Sequence, residues 1–173
     1  MHSPIAIQLV RPSDLDALLV LSRKTFYDAF EHQNNPDDFE AYTSSAFAPA
    51  QLLSEIENPD SAFYFAVLAD EPVGYIKLNY RGAQAEFQDP KAVEVSRIYI
   101  LSSQQGKQIG QHLIDFAINK AIEDQLEYIW LGVWEHNHKA ISFYKRWGFE
   151  FFGSHLFRLG NDEQTDVLMM KTL

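Results

Sequence analysis

The chain has 173 residues, 46% of them hydrophobic and 14% aromatic, which is material for one packed core, so a single domain over 1–173 is expected. It contains no cysteine, which excludes disulfides, thiolate metal sites and a cysteine nucleophile. A formal charge of −10 argues against nucleic acid as partner, because that binding depends on Lys and Arg displacing counterions. No stretch reaches the roughly 18 to 20 apolar residues of a membrane helix, and the sequence through Arg11 lacks a charged leader followed by an apolar run. A soluble, cytoplasmic protein with no membrane partner is expected.

In chain order, Ile5 to Leu9 alternates and reads as a first strand. Ser13 can cap a helix near 14–31, in which Leu15, Leu18, Leu19, Phe26 and Phe30 recur at helical spacing. Asn35-Pro36 is a cap and first-turn signal for a second helix, and Pro49 starts a third bearing Leu52, Leu53 and Ile56. Phe63 to Leu68 and Val73 to Asn79 read as a hairpin turning at Ala69 to Pro72, and Arg81 to Lys91 is polar enough for a loop. Val93 to Leu101 is the next strand. A glycine-containing turn then leads into an apolar helix through Ile109, Leu113, Phe116, Ala117 and Ala121. Tyr128 to Trp134 is a strand and Lys139 to Trp147 a short helix, and Phe149 to Phe157 closes the chain with Thr165 to Lys171. The order implies a mixed α/β sheet with helices on both faces.

Charge is distributed unevenly along these elements. Residues 1–95 carry 15 acidic and 6 basic side chains, whereas residues 96–146 carry 5 and 6. Exposed charges more than about 8 Å apart are largely screened at physiological salt, so the middle segment can hold an anion while the first part faces a cation. The segment Gln105-Gly106-Lys107-Gln108-Ile109-Gly110 lies between strand and helix, where unpaired backbone N–H groups and the positive helix end can surround a phosphate. Its glycines permit close backbone approach and Lys107 adds charge, although a glycine turn there can equally be only a turn. It lacks the spacing of a P-loop or of a dinucleotide fingerprint.

Val93 to Ala121, with Val95-Ser96-Arg97-Ile98-Tyr99-Ile100 leading into that turn, resembles motif A of the GNAT acetyltransferase superfamily. The motif reads Gln or Arg, two residues, Gly, one residue, then Gly or Ala, and Gln108 departs from it where the family has glycine. Asn137, Ala140, Phe143-Tyr144 and Gly148-Phe149 resemble motif B. Thr25 to Phe30, Gln51-Leu52, Phe63-Tyr64-Phe65 and Gly74 to Asn79 resemble bacterial spermidine/spermine N-acetyltransferases of the PaiA type. The resemblance implies a twisted, mostly antiparallel sheet of about seven strands, splayed between the fourth and fifth. It also implies acetyl-CoA as cosubstrate and a small-molecule amine, a polyamine in the PaiA case, as acceptor.

Attack of an amine on a thioester builds charge on the carbonyl oxygen, releases a thiolate and needs a deprotonated amine. The resemblance implies that backbone N–H groups of Ile98, Tyr99 and Ile100 bind the acetyl carbonyl, against ordinary sheet pairing as the alternative. It makes Tyr144 the acid facing the departing sulfur. The alternative for Tyr144 is an aromatic packed beside Phe143 and Trp147. Glu94 alternates with Ser96, Ile98 and Ile100 on one strand face, from which it can reach the acceptor as base or anchor or stay a solvated carboxylate.

With reference values of about 4.3 for a glutamate and about 10 for an alkyl ammonium, direct proton transfer to Glu94 is uphill, which favours a relay or simple electrostatic anchoring. Asn137 can cap the following helix and bond the pantetheine arm. Lys139, Lys145 and Arg146 can meet the 3′-phosphate or remain on the wet surface. His136 and His138 lack a third ligand, so no metal is expected. Asp28, Glu31, Asp37, Asp38 and Glu40 can line a cation entry or form the solvated face of helices. Exposed aromatics near the C-terminus can pair two chains as a homodimer. Two other functions use the same features: acetylation of protein N-termini or lysines, and non-catalytic acyl-CoA sensing.

Overall fold

The computed structural model describes residues 4–173; the first three residues of the expected domain and N-terminus lie outside the described residues. Seven strands form one sheet in the order β1-β2-β3-β4-β5-β7-β6. They are β1 (Ala6–Leu9), β2 (Ser61–Leu68), β3 (Glu71–Tyr80), β4 (Ala92–Ile100), β5 (Tyr128–Trp134), β6 (Glu150–Leu159) and β7 (Asp162–Thr172). Every neighbouring pair is antiparallel except β4 and β5, which are parallel. The helices are α1 (Leu15–Phe30), α2 (Pro36–Ala46), α3 (Pro49–Glu57), α4 (Ile109–Glu123) and α5 (His138–Arg146). No helix among the described residues is long and apolar enough to cross a membrane.

Local chemistry explains where these elements begin. Asn35 caps α2 by accepting from the Asp37 and Asp38 N–H groups at 2.9 and 3.3 Å, and Pro36 and Pro49 occupy first-turn positions whose N–H has no helical partner. The β2–β3 connection is shorter than the expected four residues. Ala69 and Asp70 both adopt positive φ, giving the two-residue turn that matches strand twist, so β3 starts at Glu71.

Two layers cover the sheet. On one face α4 buries Ile109, Leu113, Ile114 and Ala117 against Ile76, Val93, Val95 and Ile129, with Ile98 and Ile100 packed alongside. On the other, α1 places Leu18 and Leu21 over Phe63, Phe65 and Tyr75, and Phe26, Phe39, Phe47 and Leu52 close over Leu159.

The expected alternation along β4 is interrupted. Opposite β3 the register steps from Leu78–Val95 to Lys77–Arg97, leaving Ser96 as an extra residue, a bulge that resets which face each later side chain takes. Ile98 and Ile100 therefore share the α4 face with Val93 and Val95. Glu94 does not face the same way as Ile98 and Ile100, as strict period-two counting requires.

On the α3 face the bulge leaves Lys77 and Arg97 cross-strand neighbours, and Glu55 of α3 contacts both, at 3.0 and 3.2 Å. Burial pushes the Glu55 carboxyl up, but Arg97 and then Lys77 outweigh it and hold the group below its usual range. Removing one partner of a buried ionic group leaves the others uncompensated. Glu55→Ala should therefore lower unfolding free energy by about 3–5 kcal/mol in urea titration. Because the folded-state carboxyl is depressed, the contribution of Glu55 is present above the unfolded carboxyl range and lost as pH falls through the folded value. The stability difference between wild type and Glu55→Gln should accordingly shrink on acidification.

Candidate active site

β4 and β5 stay paired only from Ala92–Tyr128 to Val95–Leu131. Beyond that β4 follows β3 as far as Ile100 opposite Gly74, and β5 follows β7 to Trp134 opposite Asp166. The two strands splay, opening a cleft of about 1000 Å³. The Leu101 N–H donates to the Val73 carbonyl of β3 at 2.9 Å. Amides alternate sides along a strand, so the Tyr99 N–H also faces β3 while those of Ile98 and Ile100 face the splay. All the residues expected to carry the chemistry or hold the cofactor line this cleft except Lys107 and Lys145.

At its anionic end the turn enters α4 through two left-handed residues, Gly106 at φ +83° and Gln108 at φ +63°. Gln108 is the residue preceding α4, and its carbonyl accepts the His112 N–H at 3.1 Å. No side chain caps this end and no acidic residue lies in the first turn. The N–H groups of Ile109, Gly110 and Gln111 are thus directed outward at the positive end of a 15-residue helix, which fits a pyrophosphate. A Cβ on Gly110 would lie 3.1 Å from Ile100 Cδ1 and 3.7 Å from Phe143 Cζ, so glycine lets the turn close against β4 and α5.

Lys139 Nζ reaches Gln105 Oε1 at 3.4 Å and joins turn to α5 across the mouth. Lys107 instead bonds Gln104 at 2.8 Å on the outer side. Lys145 stands over the Phe151 ring at 4.5 Å, away from the cleft; one helical residue turns about 100°, so a helix that sends Tyr144 inward sends Lys145 elsewhere. Arg146 is the α5 cation that lines the cleft beside Lys139. Asn137 accepts the Ala140 N–H at 3.2 Å, capping α5 while also lining the cleft.

Tyr144 is 7% exposed, with its ring edge-on to Phe143 and Phe149. Burial pushes its phenol well above the usual range. Glu94, 6% exposed, is no solvated carboxylate. The Ala85 N–H donates to its Oε2 at 2.7 Å. Burial raises this carboxyl above its usual range, opposed by the Ala85 N–H and more weakly by Lys77 and Asn79.

Of the five acids expected at a cation entry, only Asp28 lines the cleft, where it accepts from Ser102 Oγ at 3.2 Å. Asp38 accepts the Asn161 N–H at 2.8 Å and Glu40 the Tyr27 hydroxyl at 3.0 Å, while Glu31 and Asp37 are exposed. The structure adds residues that sequence reasoning missed. Phe30, Tyr42, Trp134 and Phe157 line the cleft, and His155 and Asp166 join it from β6 and β7. The β6–β7 register pairs His155 with Asp166 about the Gly160-Asn161 turn, so counting outward from that turn was the available signal.

Gln108 has a side chain in a backbone region where residues other than glycine are strained by roughly 1–2 kcal/mol. Gln108→Gly should raise the unfolding free energy by up to about 1 kcal/mol. It should also leave coenzyme A affinity unchanged in titration calorimetry, since the groups left open at this helix end are main-chain amides.

Residues 16–149 match the Acetyltransferase (GNAT) family. An uncharacterized N-acetyltransferase from the region 3′ of pepI in Lactobacillus delbrueckii subsp. lactis is 40% identical over 169 residues, covering 98% of both chains. One from Mycobacterium tuberculosis is 27% identical over 161 residues, 93% of this chain and 99% of its own. Among solved structures, PaiA N-acetyltransferase from Thermoplasma acidophilum in complex with coenzyme A shares the fold with a TM-score of 0.79 at 22% identity, over 98% of this chain and 99% of that one. The ribosomal-protein-S18-alanine N-acetyltransferase of Escherichia coli does so at 0.72 and 12% identity, over 98% and 94%. With the parted strands, the uncapped α4 terminus and these relatives taken together, the chain belongs to the GNAT family of acetyl-CoA-dependent N-acetyltransferases.

Proposed function

We propose that the protein transfers an acetyl group to a primary amine of a small cationic acceptor, with a polyamine such as spermidine or spermine as the leading candidate, by direct attack in a ternary complex. The observation carrying this reading is that the open side of β4, Tyr144 and Glu94 border one cleft. The phosphates of acetyl-CoA would lie on the amides of the α4 N-terminus near Lys139 and Arg146, with the thioester along β4.

Attack of the amine nitrogen on the thioester carbon moves an electron pair onto the carbonyl oxygen, which the N–H groups of Ile98 and Ile100 stabilise. Collapse expels the thiolate, and the Tyr144 hydroxyl donates its proton to the sulfur. Burial disfavours tyrosinate, but it disfavours a neighbouring thiolate for the same reason, and the difference between the two governs transfer. The amine proton leaves towards Glu94, whose raised carboxyl narrows the gap to an alkyl ammonium without closing it; a water relay covers the remainder.

Three carboxylates, Asp28, Glu94 and Asp166, border the acceptor side together with the aromatic faces of Phe30, Tyr42 and Trp134. Carboxylates and aromatic faces both attract ammonium groups. The PaiA-like N-terminal segments point to the same acceptor class. A homodimer through the edge strand β6 is part of the proposal. Phe151, Phe152 and Leu156 are exposed there, and antiparallel self-pairing about Ser154 would set Glu150 against Arg158. Sedimentation at micromolar concentration should show a dimer that Leu156→Glu dissociates.

Tyr144→Phe should lower kcat by about 10²–10⁴-fold and leave acetyl-CoA affinity unchanged; an unaltered kcat removes the assigned role. Thiol release over polyamines, amino acids, arylamines and peptides tests the acceptor. Preferential turnover of spermidine supports the polyamine, and equal turnover of a neutral arylamine defeats it. Turnover of peptides alone identifies a protein acetyltransferase, and coenzyme A binding without thiol release a sensing module.

A further inference from the structure

Four neighbouring strands present one line of residues on the face that carries Glu94. Glu94 is opposite Trp130, and Gly132, two residues further along β5, has the same facing. Gly132 is opposite Leu168, Asp166 lies two residues from Leu168, and His155 is opposite Asp166. A Cβ on Gly132 would lie 3.4 Å from His155 Cε1 and 3.6 Å from Asp166 Oδ2. The imidazole therefore leans in over bare backbone, towards the strand that pairs with β4.

Both ring nitrogens meet carboxylates. Nε2 is hydrogen-bonded to Asp166 Oδ2 at 3.3 Å, and Nδ1 lies 2.7 Å from Glu86 Oε1, too oblique for a hydrogen bond but in ionic contact. Glu86 belongs to a segment that is gripped at each of three successive residues. Gln84, buried, accepts from Trp130 Nε1 at 2.8 Å; the Ala85 N–H donates to Glu94 at 2.7 Å; Glu86 meets His155. The groups facing the imidazole are thus Glu86 from the loop, Asp166 from β7 and, at longer range, Glu94 from β4.

We propose that His155 is a positioning residue for Glu94: clasped between Asp166 and Glu86, it fixes the segment whose Ala85 N–H orients the Glu94 carboxylate in the cleft. Gln84 holds one side of Ala85 through its hydrogen bond from Trp130, and His155 holds the other through its 2.7 Å contact with Glu86. Loss of the clasp frees Glu86 and lets the Ala85 amide swing off the carboxylate, while the turn and α4, which lie at the opposite end of the cleft, are untouched. The consequence for catalysis rests on the role given to Glu94 above; the consequence for the Ala85 amide does not.

The test compares wild type, His155→Gln, Glu94→Gln and the double variant, with spermidine as acceptor and coenzyme A as the binding probe. His155→Gln should lower kcat/KM for spermidine about tenfold, leave the coenzyme A Kd unchanged, and add nothing in the Glu94→Gln background, because contacting residues couple while independent ones add. By NMR the Ala85 amide should exchange faster in His155→Gln than in wild type. Unchanged Ala85 exchange, or losses that simply add, overturns the proposal. If Glu94→Gln retains full kcat/KM, the catalytic reading of Glu94 fails and Ala85 exchange alone decides the clasp: faster supports it, unchanged overturns it. Should His155→Gln fail to fold, Glu86→Gln, on the outer side of the clasp, makes the same comparison.

Discussion

Parting two parallel strands in mid-sheet forfeits a row of hydrogen bonds and leaves N–H groups that have no ladder partner on that side, an arrangement a folded chain rarely tolerates. Here it falls after Val95, and β4 survives because β3 holds it along its whole length, to Ile100 opposite Gly74. Antiparallel pairing on one side thus supports a strand whose other side opens on the cleft. The Ser96 bulge sits at this parting. It turns Ile98 and Ile100 onto the α4 face, where they pack with the helix, and so their own amides stand in a rigid setting although the sheet beside them is open.

The electrostatics follow from the same strand. Lys77 and Arg97 sit side by side across β3 and β4, and Glu55 draws both at 3.0 and 3.2 Å. Arg97 also lies over the ring of Phe47, at the C-terminal end of α2, at 5.2 Å, which fixes it against the junction of α2 and α3. With both cations held by Glu55, Glu94 has the Ala85 amide as its strongest opposing group and only weaker help from Lys77 and Asn79, so burial prevails and its carboxyl is raised. Two buried carboxyls thus have opposite shifts, Glu55 down and Glu94 up, and the division depends on which of them the cations touch.

Much of this architecture is legible in the sequence, and the exceptions share a cause. Caps and prolines locate α2 and α3, apolar periodicity locates α1 and α4, and Tyr128–Trp134 matches its expected strand, because these signals are local. The Ser96 bulge has no local signal: serine suits a regular strand as well as a bulge, and only the partner register on β3 imposes the extra residue. The same holds for the acids of the first third, of which Asp38 and Glu40 are used for a turn contact and a tyrosine hydroxyl; their partners, Asn161 and Tyr27, are fixed by tertiary packing. Motif resemblance finds Glu94, Asn137 and Tyr144, whereas His155 lies on a strand without a motif and becomes visible only once β6 and β7 are paired.

Gln108 shows why a departure from the family pattern leaves the site recognisable. The turn needs a left-handed residue to redirect the chain into α4, and glycine meets that need without strain. Gln108 adopts the same conformation at φ +63°, held there by the His112 hydrogen bond to its carbonyl and by helix packing on both sides of Gly110. The unpaired groups at this turn are main-chain amides, whose direction depends on φ and ψ and not on the side chain. A substitution that preserves the dihedral angles therefore preserves the cradle, at an energetic cost to the fold. The cleft's side-chain groups have no such tolerance, because Asp28, Glu94, His155 and Asp166 are brought to it from four separate elements, and the placement of each depends on the register of its own strand or helix.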